Sequence, residues 1–375
     1  MKNVIFQLLP SIGDGGAEIL VKDYCKHIDT EKFKVVVVTI HQPMSHTACY
    51  RDIINSGTEI ISIYKHEHSA GVIYRIWNKY LDPHYVALRL KSLIRQYAPV
   101  AIHAHLSVLR YLKLSVSSLE NVRVYYTCHT EFDMNFNIPS ELSAAKWLVA
   151  HKKIRLIALH NAMRKEINER LSVNNTIIIN NAIDFKKFKS DASKEKIRKQ
   201  LNIPSGAFVI GHVGRFNDVK NHTFLLDIFS EIRKRNKDAY LLMVGNGVNK
   251  PMIIEKIKKL GLGTCCQILS DRNDVNVLLR AMDIFVFPSL YEGLPVSLVE
   301  AQVSGLRCVV SDTITDECFF SEDMVPCNLS MGASKWADVI LDPSIKGSCH
   351  YSIDNFDMNK EIKKLENLYL GIDAV

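Results

Sequence analysis

Short apolar runs that alternate with helical segments constrain the fold of this chain more than any other feature. Lys34 to Ile40 reads KVVVVTI, a continuous β-branched run that is typical of a strand covered on both faces. Amphipathic segments separate further apolar runs, which lie at 4–9, 59–64, 100–106, 123–129 and 154–160. This alternation predicts an α/β protein with a parallel, doubly wound sheet, in which ligands bind at the carboxyl ends of the strands.

The strand and helix pattern starts again at Phe208, which indicates a second domain of the same type. A chain of 375 residues is also too long for one ordinary core. We therefore expect two Rossmann-like domains joined by a polar, lysine-rich linker. The predicted parts are an N-terminal domain at 1–189, a linker at 190–206, a C-terminal domain at 207–350, and a tail at 351–375 whose helix packs back across the domains.

Composition and net charge indicate which kinds of ligand and which cellular location suit the chain. A hydrophobic content of 47% and a charged content of 23% are those of a soluble globular protein. The formal net charge of +7 suits anionic small ligands or an acidic membrane surface, and we expect no nucleic-acid partner. No apolar run approaches the roughly 18 to 20 residues of a membrane span, and the N-terminal run is too short for a signal peptide. These features predict a cytoplasmic protein, at most attached to the surface of the cytoplasmic membrane.

The segment 65–95 carries an excess of basic residues interleaved with aromatic ones. Tyr74, Trp77, Tyr80 and Tyr85 lie among its lysines and arginines. One interpretation is a solvated helical face, and the other is contact with an anionic bilayer or a lipid-linked acceptor.

The stretch from Phe287 to Asp312, FPSLYEGLPVSLVEAQVSGLRCVVSD, predicts a strand, a loop, a helix and a second strand. Pro295 stands near the first turn of the helix, where proline is tolerated. Free backbone N–H groups at such a helix start form a natural site for a phosphate. Two carboxylates flank this helix start, Glu292 on the loop and Glu300 on the second helical turn.

Two further segments follow predicted strands and suit phosphate groups. Gly13, Gly15 and Gly16 form a glycine-rich turn after the first strand, which is either a plain tight turn or a place where backbone approaches a phosphate. Arg215 and Lys220 follow the first strand of the second domain. This pair is either an ordinary basic loop or a clamp for a diphosphate.

Metal and cofactor motifs are missing from the sequence. It has no pair of aspartates two residues apart, no Walker lysine motif and no H-E-x-x-H. His103 and His105 have metal-like spacing, but no third ligand lies near them in the sequence. We therefore expect neither a metal nor another cofactor.

These motifs together resemble the glycosyltransferases of family 4, which have the GT-B fold. Gly15-Gly16-Ala17-Glu18 resembles the N-terminal loop of the family, and His129 in CHTEF matches its histidine at the sugar site. Asn181-Ala-Ile-Asp184 with Phe188 resembles the element before the linker. Further matches are the diphosphate clamp at Gly214-Arg215 with Lys220-Asn221 and the Glu-x7-Glu signature at Glu292 and Glu300.

The resemblance implies a retaining, metal-independent glycosyltransferase of bacterial surface polysaccharide biosynthesis. It would move a sugar from a nucleoside-diphosphate sugar, with UDP as the expected nucleotide, to a hydroxyl of a glycan or lipid-linked acceptor. The N-terminal domain would then be the acceptor side. The implied catalytic residues are Arg215, Lys220, Glu292 and His129. The implied donor-binding residues are Gly15, Gly16, Arg215, Lys220, Gly245, Glu292, Gly293, Leu294, Pro295 and Glu300.

Two positions depart from the family pattern, and alternatives to the implied reaction stay open. Ala182 stands where a glycine is usual, and Arg307 stands where a proline usually begins the following strand, which puts the entry of that strand in doubt. The alternatives are a nucleotide-sugar epimerase or a phosphorylase on the same architecture, and a nucleotide-sugar-binding protein without activity.

Overall fold

A computed structural model describes residues 2–64, 82–188, 193–347, 349 and 351–372. The chain divides into two compact units. Unit 1 consists of Met1–Asn181 and Met358–Val375, and unit 2 consists of Ala182–Asp357.

Unit 1 contains a seven-stranded sheet whose neighbouring strands are all parallel. Its strands are β1 (Asn3–Leu9), β2 (Phe33–Thr39), β3 (Glu59–Ser62), β4 (Ala101–His105), β5 (Arg123–Thr127), β6 (Arg155–Ala158) and β7 (Ile177–Ile178). They lie in the order β3-β2-β1-β4-β5-β6-β7. Because the order reverses between β1 and β4, the carboxyl ends of these two strands form the switch point at which doubly wound sheets bind ligands.

Helices connect the strands of unit 1. They span Gly16–His27, Ala48–Asn55, Asp82–Tyr97, Leu109–Leu114, Phe132–Asn135, Pro139–Ala150 and Asn161–Leu171. The β2 strand is buried from Val35 to Thr39, as its β-branched run predicts for a strand with both faces covered.

The last helix, Met358–Leu370, belongs to unit 1 although it follows unit 2 in the sequence. It buries Ile362, Leu365 and Leu368. The Tyr125 hydroxyl of β5 donates a hydrogen bond to the carbonyl oxygen of Leu368 over 2.5 Å. This helix therefore contributes side chains to the same unit as the first strands of the chain.

Unit 2 repeats this architecture with six parallel strands. They are β8 (Phe208–Val213), β9 (Ala239–Val244), β10 (Cys266–Leu269), β11 (Ile284–Phe287), β12 (Arg307–Ser311) and β13 (Met324–Cys327), in the order β10-β9-β8-β11-β12-β13. The helices span Lys194–Gln200, His222–Arg235, Lys250–Lys259, Val275–Leu279, Val296–Val303 and Gly332–Leu341. Here the switch point lies between β8 and β11.

One face of the unit 2 sheet packs on an apolar core that includes the fully buried Trp336. The Trp336 indole N–H donates to the carbonyl oxygen of Asn328 over 3.0 Å, which satisfies its only polar atom. Short 3₁₀ turns complete the described elements, at Val116–Ser118, Phe185–Phe188, Asp316–Cys318, Leu329–Met331 and Ile353–Phe356.

The lysine-rich segment assigned to a linker contains the helix Lys194–Gln200. Ser193 caps it by accepting from the Lys196 N–H, and Arg198 and Lys194 bind the Asp283 carboxylate at 2.6 and 2.9 Å. Burial alone would raise the pKa of Asp283, but the bonds from Lys194, the backbone N–H of Val209 and Arg198 hold it below its usual value. Opposite charges thus join this helix to the amino end of β11.

The predicted pair of doubly wound parallel sheets is confirmed. The split between the units at Asn181 and Ala182 lies eight residues before the predicted start of the linker at residue 190. Residues 65–81 of the basic aromatic segment lie outside the described residues, and its remainder falls in the helix Asp82–Tyr97. No helix in the described part of the chain has both the length and the hydrophobicity that a membrane span requires.

Arg307 begins β12 in regular pairing with Ile284, so the departure from proline leaves the strand intact. Its guanidinium donates to the carbonyl oxygens at the end of the helix Gly332–Leu341 and in the loop that follows. These carbonyls belong to Val339, Ile340, Asp342 and Ile345, at 2.9 to 3.1 Å. The last carbonyls of a helix have no partner within the helix, and Arg307 supplies one.

We therefore expect Arg307→Ala to lower the free energy of unfolding by about 2–3 kcal/mol, since carbonyls lose charged donors. Arg235→Ala is the matched control, because Arg235 binds Asp338 and Ser334 on the exposed face of the same helix. Exposed ion pairs contribute little, so the control should lose less than about 1 kcal/mol. Urea denaturation measures both, and equal losses for the two variants would contradict the capping role.

Candidate active site

The candidate site in unit 2 lies where β8 and β11 end. Arg215 and Lys220 belong to the loop after β8, and Glu292 belongs to the loop after β11. These are the two strands at the switch point of the sheet. The strand order therefore brings the predicted basic pair and the first predicted carboxylate to one edge.

An ion pair joins the two loops. Lys220 Nζ lies 2.6 Å from Glu292 Oε1, and only 14% of each side chain is exposed. The same ammonium lies 4.4 Å from the ring centroid of Phe287, the last residue of β11. The backbone adds a second link, because the Leu290 N–H donates to the Val219 carbonyl over 2.8 Å. Lys220 is therefore held by a charge, by an aromatic face and by its own loop.

Glycines allow the backbone to pack closely around this pair. A Cβ atom on Gly214 would lie 3.1 Å from the Lys220 side chain. A Cβ atom on Gly245, which follows β9, would lie 2.0 Å from the Gly214 carbonyl oxygen. Real atoms do not approach to 2.0 Å, so Gly245 must be glycine if the two loops keep this contact, whereas a Cβ atom at position 214 would only require the Lys220 side chain to shift slightly. Gly245 therefore lets the loop after β9 pack against Gly214, at the start of the loop that carries Arg215 and Lys220.

The second half of the Glu-x7-Glu signature lies on the helix Val296–Val303. Pro295 is its N-cap residue, and the buried Leu294 precedes it after Gly293. Glu300 lies on the second turn and is partly buried. The helix thus begins four residues after Glu292, with Pro295 at its start as the sequence predicted.

Arg215 is the exposed member of the basic pair. The Asn217 N–H donates to its carbonyl oxygen, and the Asn217 side chain accepts from the Lys220 N–H over 3.2 Å. The loop ends at Asn221, which adopts a left-handed conformation with φ of 52°. This tight turn leaves the Arg215 guanidinium at the surface while Lys220 points inward.

Two buried histidines adjoin this loop, and sequence reasoning missed them. His212 in β8 donates from Nδ1 to the Val286 carbonyl over 2.9 Å, and its ring lies 4.7 Å from that of His222. Among the described residues, neither His212 Nε2 nor either ring nitrogen of His222 has a hydrogen-bond partner. Burial and then the nearby Lys220 charge lower the pKa of His222 to about 4. The sequence offered one signal for this site, because His222 is the first residue of the amphipathic helix His222–Arg235.

In unit 1 the predicted glycines lie between the end of β1 and the start of the first helix. Gly15 is the N-cap residue of the helix Gly16–His27 and has extended backbone angles. A Cβ atom on Gly15 would lie 2.4 Å from the Glu18 carboxylate, whereas one on Gly16 would meet nothing within 4 Å. The turn therefore packs against Glu18 on one side and is open at Gly16.

His129 follows the end of β5 and is partly exposed. Its Nε2 lies 3.0 Å from His105 Nδ1, and its backbone N–H donates to Asn135. His103 and His105 bond to protein side chains. The described residues include no group of three side chains that could hold a metal ion.

The pH dependence of stability should report on His222. Because its folded pKa lies below the ordinary value near 6.5, the unfolded chain binds the extra proton, and stability is lost as pH falls from about 6.5 to about 4. His222→Phe removes this titration. Its stability relative to the wild type should rise by about 2 kcal/mol between pH 8 and pH 5, measured by urea denaturation. Parallel pH profiles for the two proteins would contradict the assignment.

Comparisons with known families match both units. The model described as Glycosyltransferase Family 4 matches residues 14–187, and the model described as Glycosyl transferases group 1 matches residues 193–316. The two matched regions together span most of the chain.

Curated relatives and a solved structure agree with these matches. EpsF of Bacillus subtilis, which is named as a glycosyltransferase, is 27% identical, with 92% of this chain and 88% of the relative covered. An Escherichia coli UDP-Gal:alpha-D-GlcNAc-diphosphoundecaprenol alpha-1,3-galactosyltransferase is 26% identical over 76% of this chain and 80% of its own length. The crystal structure of Anabaena Alr3699/HepE in complex with UDP superposes with a TM-score of 0.76 at 18% identity, covering 99% of this chain and 100% of that one.

Proposed function

Because this chain belongs to the GT-B glycosyltransferases that join a family 4 region to a group 1 region, we propose that its donor is a UDP-sugar and its acceptor a glycan or lipid-linked hydroxyl. The pathway would be the synthesis of a bacterial surface polysaccharide. The observation that carries this proposal is the pairing of Lys220 with Glu292 at the switch point of unit 2. In this pair, a cation that would bind the diphosphate lies beside a carboxylate that would bind sugar hydroxyls.

The choice of UDP and of a lipid-linked acceptor draws on relatives. The Escherichia coli relative is named for UDP-Gal and for a diphosphoundecaprenol acceptor, and the Anabaena neighbour was solved with UDP. Unit 2 would bind the donor and unit 1 the acceptor. A lipid-linked acceptor would bring the enzyme to the cytoplasmic face of the membrane, with residues 65–95 as the contact segment.

Departure of the diphosphate requires stabilisation of its developing charge. Arg215 and Lys220 would supply charged donors, and the amide groups at the start of the helix Val296–Val303 would add the positive end of its dipole. In unit 1 the turn at Gly16 is open, so its backbone is free to approach a phosphate group. These groups carry out the role that a divalent cation fills in other transferases, so the proposed reaction needs no metal.

The ion pair also bears on the stereochemical course. Double displacement needs a carboxylate that is free to attack the sugar. Glu292 is instead held in an ion pair with the Lys220 ammonium, which lowers its nucleophilicity and favours a role in binding sugar hydroxyls. Glu300 would bind the ribose. We therefore propose front-face attack with retention, in which a diphosphate oxygen takes the acceptor proton, and the anomer first formed is observable by proton NMR.

Donor binding tests the proposal without knowledge of the acceptor. A thermal-shift screen with UDP, GDP and TDP should give its largest stabilisation with UDP, since a bound ligand raises stability in proportion to its affinity. Calorimetry in the presence of EDTA should then show unchanged UDP affinity for the wild type. Loss of binding in EDTA would contradict metal independence.

Lys220→Met should weaken UDP binding by about 10- to 100-fold, because the diphosphate loses a charged donor. Lys256→Met is the matched control, since Lys256 is also partly buried and forms an ion pair with Asp227 in the same unit. The control should change the Kd by less than about threefold. Wild-type UDP affinity in Lys220→Met would remove the basis for this site.

A further inference from the structure

The carboxyl half of the unit 1 sheet buries a set of polar side chains on neighbouring strands. Gln7 lies in β1, His103 and His105 lie in β4, and Thr127 ends β5, and all four are fully buried. Polar groups in an interior are costly unless they are hydrogen-bonded. The hydrogen-bond partners of these four side chains therefore indicate which atom donates and which accepts in each bond.

A continuous chain of hydrogen bonds runs from the last helix to His129. The Gln7 Nε2 amide donates to the Tyr369 hydroxyl over 3.0 Å. On its other side, Gln7 Oε1 lies 2.9 Å from His105 Nε2. His105 Nδ1 then lies 3.0 Å from His129 Nε2. The first member of this chain, Tyr369, is completely buried, and the last, His129, is partly exposed.

Each step of this chain fixes the next proton. Burial, followed by the neighbouring histidines, keeps the pKa of His105 well below its usual value, so its ring is neutral and carries one N–H. An amide oxygen only accepts, so that N–H is on His105 Nε2, and His105 Nδ1 is an acceptor. His129 must then donate from Nε2. Burial lowers the pKa of His129 to about 4, so at neutral pH its Nδ1 carries a lone pair.

A side branch agrees with this orientation of the Gln7 amide. The Tyr369 hydroxyl lies 2.7 Å from His103 Nδ1, and His103 Nε2 lies 2.7 Å from the Thr127 hydroxyl. A tyrosine hydroxyl has one proton to donate. When it donates that proton to His103, its oxygen accepts from the Gln7 amide nitrogen. The amide oxygen then faces His105.

We propose that Tyr369, Gln7 and His105 are positioning residues that hold His129 as its Nε2–H tautomer and so reserve Nδ1 as a hydrogen-bond acceptor for a substrate hydroxyl. The identity of that hydroxyl rests on the proposed sugar transfer. The tautomer itself is a property of unit 1 alone.

This assignment limits what His129 can do. A neutral ring whose open nitrogen bears a lone pair accepts from a sugar or acceptor hydroxyl, and it neither donates to a phosphate nor offers it a positive charge. The tautomer therefore selects a hydroxyl-bearing group at this position. It also leaves stabilisation of the departing diphosphate to other residues, which agrees with the basic pair in unit 2.

Nitrogen NMR of the histidine rings measures the tautomer directly. Ring nitrogen shifts and their couplings to carbon-bound protons distinguish Nε2–H, Nδ1–H and imidazolium forms. Because the chain has 14 histidines, the His129 signals are identified by their loss in His129→Gln. In the wild type at pH 7 we expect a single Nε2–H form. An Nδ1–H form, an imidazolium or an exchanging mixture would overturn the proposal.

Tyr369→Phe tests the far end of the chain. Without the hydroxyl the Gln7 amide loses the partner that orients it, so His129 should shift from one tautomer to a mixture. Tyr125→Phe is the matched control, because it removes a buried hydroxyl that bonds to Leu368 on the same helix but is not part of the chain. The control should keep the single Nε2–H form.

The two variants separate positioning from a general effect on folding. Mixed tautomers in Tyr369→Phe alone support the proposal. Equal changes in both variants, or no change in Tyr369→Phe, overturn it. No substrate is present in these spectra, so the result stands apart from the UDP-binding test of the proposed function.

Discussion

The ion pair between Lys220 and Glu292 is the interaction on which the site in unit 2 depends. It joins the loops that follow β8 and β11, the two strands at the switch point, and it holds Lys220 against Phe287. Removing this ion pair from water costs desolvation energy, because little of either side chain is exposed. In return, the ion pair keeps the Lys220 charge in a fixed position. In the proposed reaction, Lys220 would be the cation for the leaving diphosphate, and Glu292 would bind hydroxyls rather than attack the sugar.

The two units place polar groups at corresponding sheet edges but treat charge in opposite ways. At this edge unit 2 has two cations: Lys220, which is partly buried and paired with a carboxylate, and Arg215, which is exposed. Unit 1 instead buries neutral groups. The hydrogen bonds from Gln7 to His105 and from His105 to His129 determine which ring nitrogen of His129 carries the proton. A transfer reaction needs both properties, since the leaving group carries negative charge and the hydroxyls around the reacting sugar are neutral.

Local pattern was sufficient to predict the elements, and the parts it missed depend on contacts between distant residues. The β-branched run at Lys34–Ile40 predicted β2, and the proline and glycine positions around Glu292 predicted the loop and helix that the structure shows. Gln7 and Tyr369 lie 362 positions apart, so no local period connects them. From the sequence, Arg307 put the start of β12 in doubt. Its helix-capping bonds could not be predicted locally, because they are made to a segment more than 30 residues later. His222 was hidden because its burial depends on His212 and Phe216.

A double-mutant cycle on UDP affinity tests the role of the ion pair most directly. Lys220→Met leaves Glu292 as an unpaired carboxylate beside the diphosphate, so part of its loss of affinity is repulsion. Calorimetry with Lys220→Met, Glu292→Gln and the double variant separates this part. Glu292→Gln alone should leave UDP affinity near the wild-type value, and the double variant should bind UDP about tenfold more tightly than Lys220→Met, so that the coupling is roughly 1.4 kcal/mol. A double variant that binds UDP no better than Lys220→Met would contradict the account.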